Sequence, residues 1–179
     1  MKRMLLAGSL LLAGALLPVT ALSFGGAASA STSTPASAPA PVEQPDPAML
    51  AAAERVANFI ETGDASLLER TFAVGDVTII ENFPPHVFVG PDAVATWSRA
   101  MREHLQGNTG LRHEFGRPQD FSRTGDDVFF SLPTTWRGFD DHGKVRFVEH
   151  GGWAFVLRRQ GGAWRVRGYG WAVTQRSGD

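Results

Sequence analysis

A chain of 179 residues has room for one domain, and its balance of 17 basic to 18 acidic residues is too even for a nucleic-acid-binding surface. The absence of cysteine excludes disulfides, thiolate metal sites and cysteine nucleophiles together. An apolar core must therefore hold the fold without staples.

The first thirty residues read as a secretory signal peptide. Lys2 and Arg3 form the charged start, Leu5 to Leu17 is an apolar run too short for a comfortable membrane span, and Ala28-Ser29-Ala30 offers small residues for cleavage. Export to the periplasm or the exterior is expected, with no membrane attachment after cleavage. Without Lys2 and Arg3 the balance becomes 15 basic to 18 acidic residues, a net charge of −3. Residues 31–47 are Ser, Thr, Ala and Pro with almost no apolar bulk, which predicts a disordered tether ahead of a domain spanning residues 48–176.

From Pro47 to Thr62 apolar positions recur at steps of three and four, predicting a helix that Gly63 stops. Asp64 is placed to cap a second helix through Phe72. Val77 to Phe83 alternates as a strand, ended by Pro84-Pro85, and a third helix follows Gly90-Pro91 with Val94, Trp97, Met101 and Leu105 on one stripe. Four strands then form a meander: about Leu111 to Phe121, Val128 to Trp136, Lys144 to Leu157, and Ala163 to Val173. The order predicts an α+β fold in which three N-terminal helices cover the concave face of a curved antiparallel sheet.

With these elements in place the chain resembles the SnoaL-like proteins of the nuclear transport factor 2-like superfamily. The matching text is Gly63-Asp64 after the first helix, Asp76 to Glu81 in the first strand, Gly90 to Val94 opening the third helix, and Trp164 to Tyr169 in the last strand. The resemblance runs from about Ala48 to Val173 and implies a cone-shaped domain with a pocket between sheet and helices, often dimeric through the outer sheet face. That family includes ketosteroid isomerase, dehydratases, polyketide cyclases and epoxide hydrolases, as well as members that only bind. Fold alone does not select among them.

Two carboxylates stand out in otherwise apolar rows. Glu81 shares a face with Val77, Ile79 and Phe83, and Glu149 shares one with Val145, Phe147, Trp153, Phe155 and Leu157 unless a bulge at Gly151-Gly152 shifts the register. If both rows face the pocket, desolvation and mutual repulsion would raise at least one pKa into the range of a general acid or base. Each glutamate on a solvated rim is the competing reading. The resemblance implies that the isomerase branch keeps its catalytic base at the position of Glu81. It also implies that an oxyanion-binding tyrosine falls at Val56 and a late-strand acid near Trp153 to Phe155, where this chain has neither.

His113 is a candidate pocket base, and Asn82, His86, Trp97, Trp136 and Trp153 are candidate ligand contacts, since small-molecule pockets are mostly apolar with few polar groups. The histidines at 86, 104, 113, 142 and 150 lack metal-ligand spacing, so neither metal nor cofactor is expected. On the last strand, strict alternation places Arg165, Arg167, Tyr169 and Trp171 on the outer face, where a second copy could pack.

Three functions remain open at this point. The domain binds a small apolar or aromatic molecule; or it is a cofactor-free isomerase, dehydratase or cyclase using Glu81, with Glu149 or His113 as partner; or it is a dimerising structural module.

Overall fold

The computed structural model describes residues 43–106 and 109–178. The expected signal peptide and most of the expected tether lie outside the described residues. Helix α1 spans Pro47–Thr62. Asp46 caps it, its Oδ1 accepting the Met49 N–H at 2.9 Å, and Gly63 ends it in the left-handed region at φ 73°, donating its N–H to the Phe59 carbonyl. Met49, Ala52, Ala53, Val56, Ala57, Phe59 and Ile60 form its buried stripe.

The expected second helix is a correction. Asp64 does cap a turn, but it is a 3-10 turn confined to Ala65–Leu68. Arg70 sits at φ 58°, and the next residues are drawn into pairing with the last strand: the Val166 N–H donates to the Thr71 carbonyl, and the Ala73 N–H to the Val166 carbonyl. A backbone already bonded laterally cannot also close helical turns. Helix α2, Ala93–His104, buries Ala93, Trp97, Ser98 and Met101. The described residues thus hold two α-helices and one 3-10 turn rather than three helices.

Seven strands make one curved sheet in the order β2-β1-β7-β6-β5-β3, with β4 also paired to β5. They are β1 (Val77–Ile80), β2 (Val87–Gly90), β3 (Thr109–Phe115), β4 (Gln119–Thr124), β5 (Asp127–Phe139), β6 (Val145–Gln160) and β7 (Ala163–Gly178). All pairings are antiparallel except β1 with β7. The short strand β2, returning alongside β1, was not expected. Nor was the division of the predicted Leu111 to Phe121 strand into β3 and β4. Gly116-Arg117-Pro118 interrupts it opposite Pro133, which has no N–H to offer, while the Pro133 carbonyl accepts the Gly116 N–H at 2.7 Å.

One face of the sheet carries the core. Val77 and Ile79 on β1, Phe130 and Leu132 on β5, and Trp153, Phe155 and Leu157 on β6 are buried in a single cluster with α1 and α2. On β7 the inward parity changes midway. Trp164 and Val166 are buried, then Tyr169 and Trp171 are buried. Leu157 pairs with Val166 but Val156 pairs with Gly168, so Arg167 is an extra residue without a partner, a β-bulge. Strict alternation fails here, and the expected outer placement of Tyr169 and Trp171 is corrected. Arg167 is exposed, while Tyr169 is 4% and Trp171 9% exposed.

Candidate functional site

Beyond Ile80 the chain leaves the sheet but keeps its alternation, so Glu81 and Phe83 continue the buried row of Val77 and Ile79. The backbone at this point is held by the turn. The Glu81 N–H donates to the His86 carbonyl at 2.8 Å, and the His86 N–H donates to the Phe83 carbonyl at 2.8 Å. Glu81 is only 5% exposed. Its Oε1 accepts two hydrogen bonds, from the Tyr169 hydroxyl at 2.5 Å and from Trp97 Nε1 at 2.9 Å. Among the described residues no side chain donates to Oε2.

Burial pushes the Glu81 carboxyl up from an ordinary 4.5 to about 7, and the bonds from Tyr169 and Trp97 only partly oppose it. Tyr169 lies well above its usual value, first through burial and then through the adjacent carboxylate, so it remains a donor. Trp97 can only donate. With both contacts on Oε1, Oε2 is open to the cavity's chemistry only as an acceptor or proton carrier without a side-chain donor.

Glu81 lines a cavity of about 240 Å³, somewhat below the ~300–1,000 Å³ usual for small-molecule pockets. Trp136, Trp153, Trp171, Phe83, Phe147 and Met101 supply much of its apolar wall. The polar groups are Glu81, Asn82, His104, Glu149 and Arg176. Glu149 and Glu81 do share this cavity, because β5 and β6 pair without interruption from Arg158 to Phe147 and the bulge near Gly151 falls on β7, at Thr174. Glu149 is not a second free acid. Arg176 Nη1 lies 3.2 Å from its Oε1, and the guanidinium stacks over Phe147 at 5.4 Å. The His104 ring stacks on Phe83 at 4.4 Å, and its pKa is lowered by partial burial, with Glu149 opposing and Arg176 adding to the effect.

The remaining sequence candidates stand elsewhere. His113 does not line the cavity. Its ring contacts Glu61 Oε1 at 2.7 Å and Glu54 Oε2 at 2.9 Å, and its backbone N–H donates to Glu61, so it ties β3 to α1. His86 also lies off the wall, with Nδ1 3.2 Å from the Glu81 carbonyl. Trp97 is fully buried behind Glu81 and acts through it. Asn82, Trp136 and Trp153 are wall residues.

The sequence offers no signal for His104 and Arg176, and strict alternation turns Tyr169 and Trp171 away from the site. Only Tyr169 carried a signal, as the one tyrosine in the chain. Among buried side-chain nitrogen and oxygen atoms of the described residues, only Trp153 Nε1 has no hydrogen-bond partner. Such an atom costs on the order of 1–3 kcal/mol while it stays unpaired. No group of three His, Asp or Glu side chains among the described residues could hold a metal ion, and no described helix is long and apolar enough to cross a membrane.

No family model matches the sequence, and no curated protein matches it. Solved structures match its fold. Aln2 from a Streptomyces species is 20% identical, covering 73% of this chain and 94% of its own, with a TM-score of 0.59. A nuclear transport factor 2-like superfamily protein from Salmonella enterica serovar Typhimurium is 15% identical over 71% of this chain and 89% of its own, with a TM-score of 0.55. A type 2 hexachlorocyclohexane dehydrochlorinase, LinA, is 11% identical over 73% and 85%, with a TM-score of 0.59. At these identities the likeness is one of fold.

Proposed function

We propose that this chain, whose fold is the SnoaL-like, nuclear transport factor 2-like one, binds a small and largely apolar or aromatic molecule in the cavity and moves a proton on it with Glu81. One observation carries the reading: a buried carboxyl on the cavity wall has one oxygen fixed by two donors and the other without a donor among the described residues. A pKa of about 7 leaves both protonation states populated at neutral pH, the condition under which one group can take a proton and return it. The indoles of Trp136, Trp153 and Trp171 suit an aromatic body, and Glu81, Asn82, His104, Glu149 and Arg176 suit polar groups carried on it. A hexachlorocyclohexane dehydrochlorinase shares the fold, so elimination chemistry is compatible with it. The apolar leader adds export to the proposal.

The ion pair between Glu149 and Arg176 favours a second reading, a binding module without catalysis, because it leaves Glu81 as the sole uncommitted acid on the wall. Glu81→Gln separates the two. A panel of aryl ketones in deuterated buffer is followed by proton NMR for exchange at the carbon next to the carbonyl. The proton-transfer reading expects exchange by the wild type and a loss of roughly 10²–10⁴-fold in the variant. Equal exchange by both proteins, or a Glu81 carboxyl carbon titrating near the ordinary ~4.3, would remove Glu81 from the chemistry.

A further inference from the structure

A second cavity, of about 190 Å³, adjoins the first. Ile60, Met101, Leu105 and Leu111 line both, so at these four side chains the partition between the cavities is one residue thick. All four are apolar, and they come from the last turn of α1, the last turn of α2 and the start of β3. Met101 is unbranched, with three side-chain torsions, and is the kind of residue that re-packs most readily in a wall. Leu105 lies one turn after it at the C-cap of α2, its N–H bonded to the Met101 carbonyl at 2.9 Å.

The two walls differ in chemistry. The first cavity carries three indoles and the polar groups around Glu81. Among the described residues that line the second, Phe59 is the single aromatic ring, and the polar ones are Glu61, Thr62, Gly63 and Arg102. Of these, Glu61 is already committed to His113. Each cavity alone is smaller than the ~300–1,000 Å³ usual for ligand pockets, whereas the two joined fall inside that range.

We propose that the two cavities form one binding site, with the aromatic body of the ligand in the first and an unbranched alkyl chain attached to it in the second. The chain passes where Met101 and Leu105 shift aside. An unbranched chain is the shape such a partition admits, because its cross-section matches that of the side chain it displaces. The ligand class is then an alkyl-substituted aromatic compound, and Met101 and Leu105 are the residues that select for the chain. This inference rests on the proposed ligand-binding function and adds a second compartment and the group that fills it. It holds whether or not Glu81 moves a proton.

Phenol and its para-ethyl, para-butyl and para-hexyl derivatives test it on the full-length protein. Thr62 and Gly63 line the second cavity only, and Trp136 and Trp153 the first only, so their backbone and indole N–H signals report the two compartments separately in nitrogen-proton NMR. Phenol is expected to move the indole signals alone. The butyl and hexyl compounds should move both sets and show proton NOEs from the terminal methyl of the chain to the Phe59 ring. Each methylene beyond the partition should tighten binding by up to about fourfold, the worth of one buried CH₂. Arg102→Trp places a large ring on the wall of the second cavity and should abolish that gain with chain length. Tightening along the series while Thr62 and Gly63 stay unmoved, or an undiminished gain in the variant, overturns the joined site while binding in the first cavity stands. If none of the four compounds binds, the ligand-binding reading itself falls and takes the inference with it. Should the variant fail to fold, the wild-type contacts of the terminal methyl decide.

Discussion

Glu81 couples the site to the stability of the fold, and the sign follows from its position. Burial raises its pKa from 4.5 to about 7, so the folded chain holds this proton more tightly than the unfolded chain. Stability from this group is therefore fully present below about pH 4.5 and is lost as pH rises towards 7. By linkage the loss is roughly 3 kcal/mol, the value of a shift of this size. Glu81→Gln cannot ionise, so the difference in unfolding free energy between variant and wild type should grow in the variant's favour across that window and level off above it. Urea melts at pH 4, 5, 6, 7 and 8 measure this. A difference that does not change with pH would mean that the carboxyl is solvated. Glu81 was legible in the sequence because one charge in an apolar row is conspicuous, and Glu149 for the same reason. His113 was singled out by residue type alone. Its true partners, Glu54 and Glu61, belong to a helix more than fifty residues earlier, and no spacing rule connects them.

Among the elements, β7 decides how the site is assembled. Alternation reads correctly along β1, β5 and β6 because those strands pair inward without an interruption between core and cavity. On β7 the extra residue Arg167 reverses parity between Val166 and Tyr169, and only that reversal brings Tyr169 to Glu81. A bulge arises from how two strands register, so one strand's text does not announce it. Gly168 marks the place. A Cβ built there would lie 2.6 Å from the Thr78 carbonyl oxygen on the parallel neighbour β1, whereas one at Gly170 would meet only Ile80 at 3.8 Å. Gly168→Ala should therefore separate β1 from β7, destabilise by about 1–3 kcal/mol as overpacking does, and lower the Glu81 pKa by admitting water. Gly170→Ala should do neither. Chemical denaturation and carboxyl NMR of the two variants check the contrast, and similar losses in both would mean that the close approach to Thr78 relaxes freely.

Across the whole molecule, one cluster running from Met49 to Trp171 unites α1, α2 and the sheet, so a single cooperative transition is expected. The expected domain start at Ala48 falls one residue inside the helix and two beyond its Asp46 cap, because the Ser, Thr, Ala and Pro composition of the tether runs on to Pro47 in the first helical turn. Among the described residues Pro45 is already buried, and Asp46 is the first whose side chain hydrogen-bonds into the fold, through Met49. A chain cut to residues 43–178 should accordingly melt within a few degrees of the full-length protein and in one step. Asp46→Ala in that shortened chain removes the cap and should cost about 1 kcal/mol, a downward shift in Tm of several degrees for a domain of this size. Calorimetry of the three proteins measures both effects. If the cut alone lowers Tm as far as the substitution does, residues before Glu43 contribute to the fold, and the domain begins earlier than the core cluster indicates.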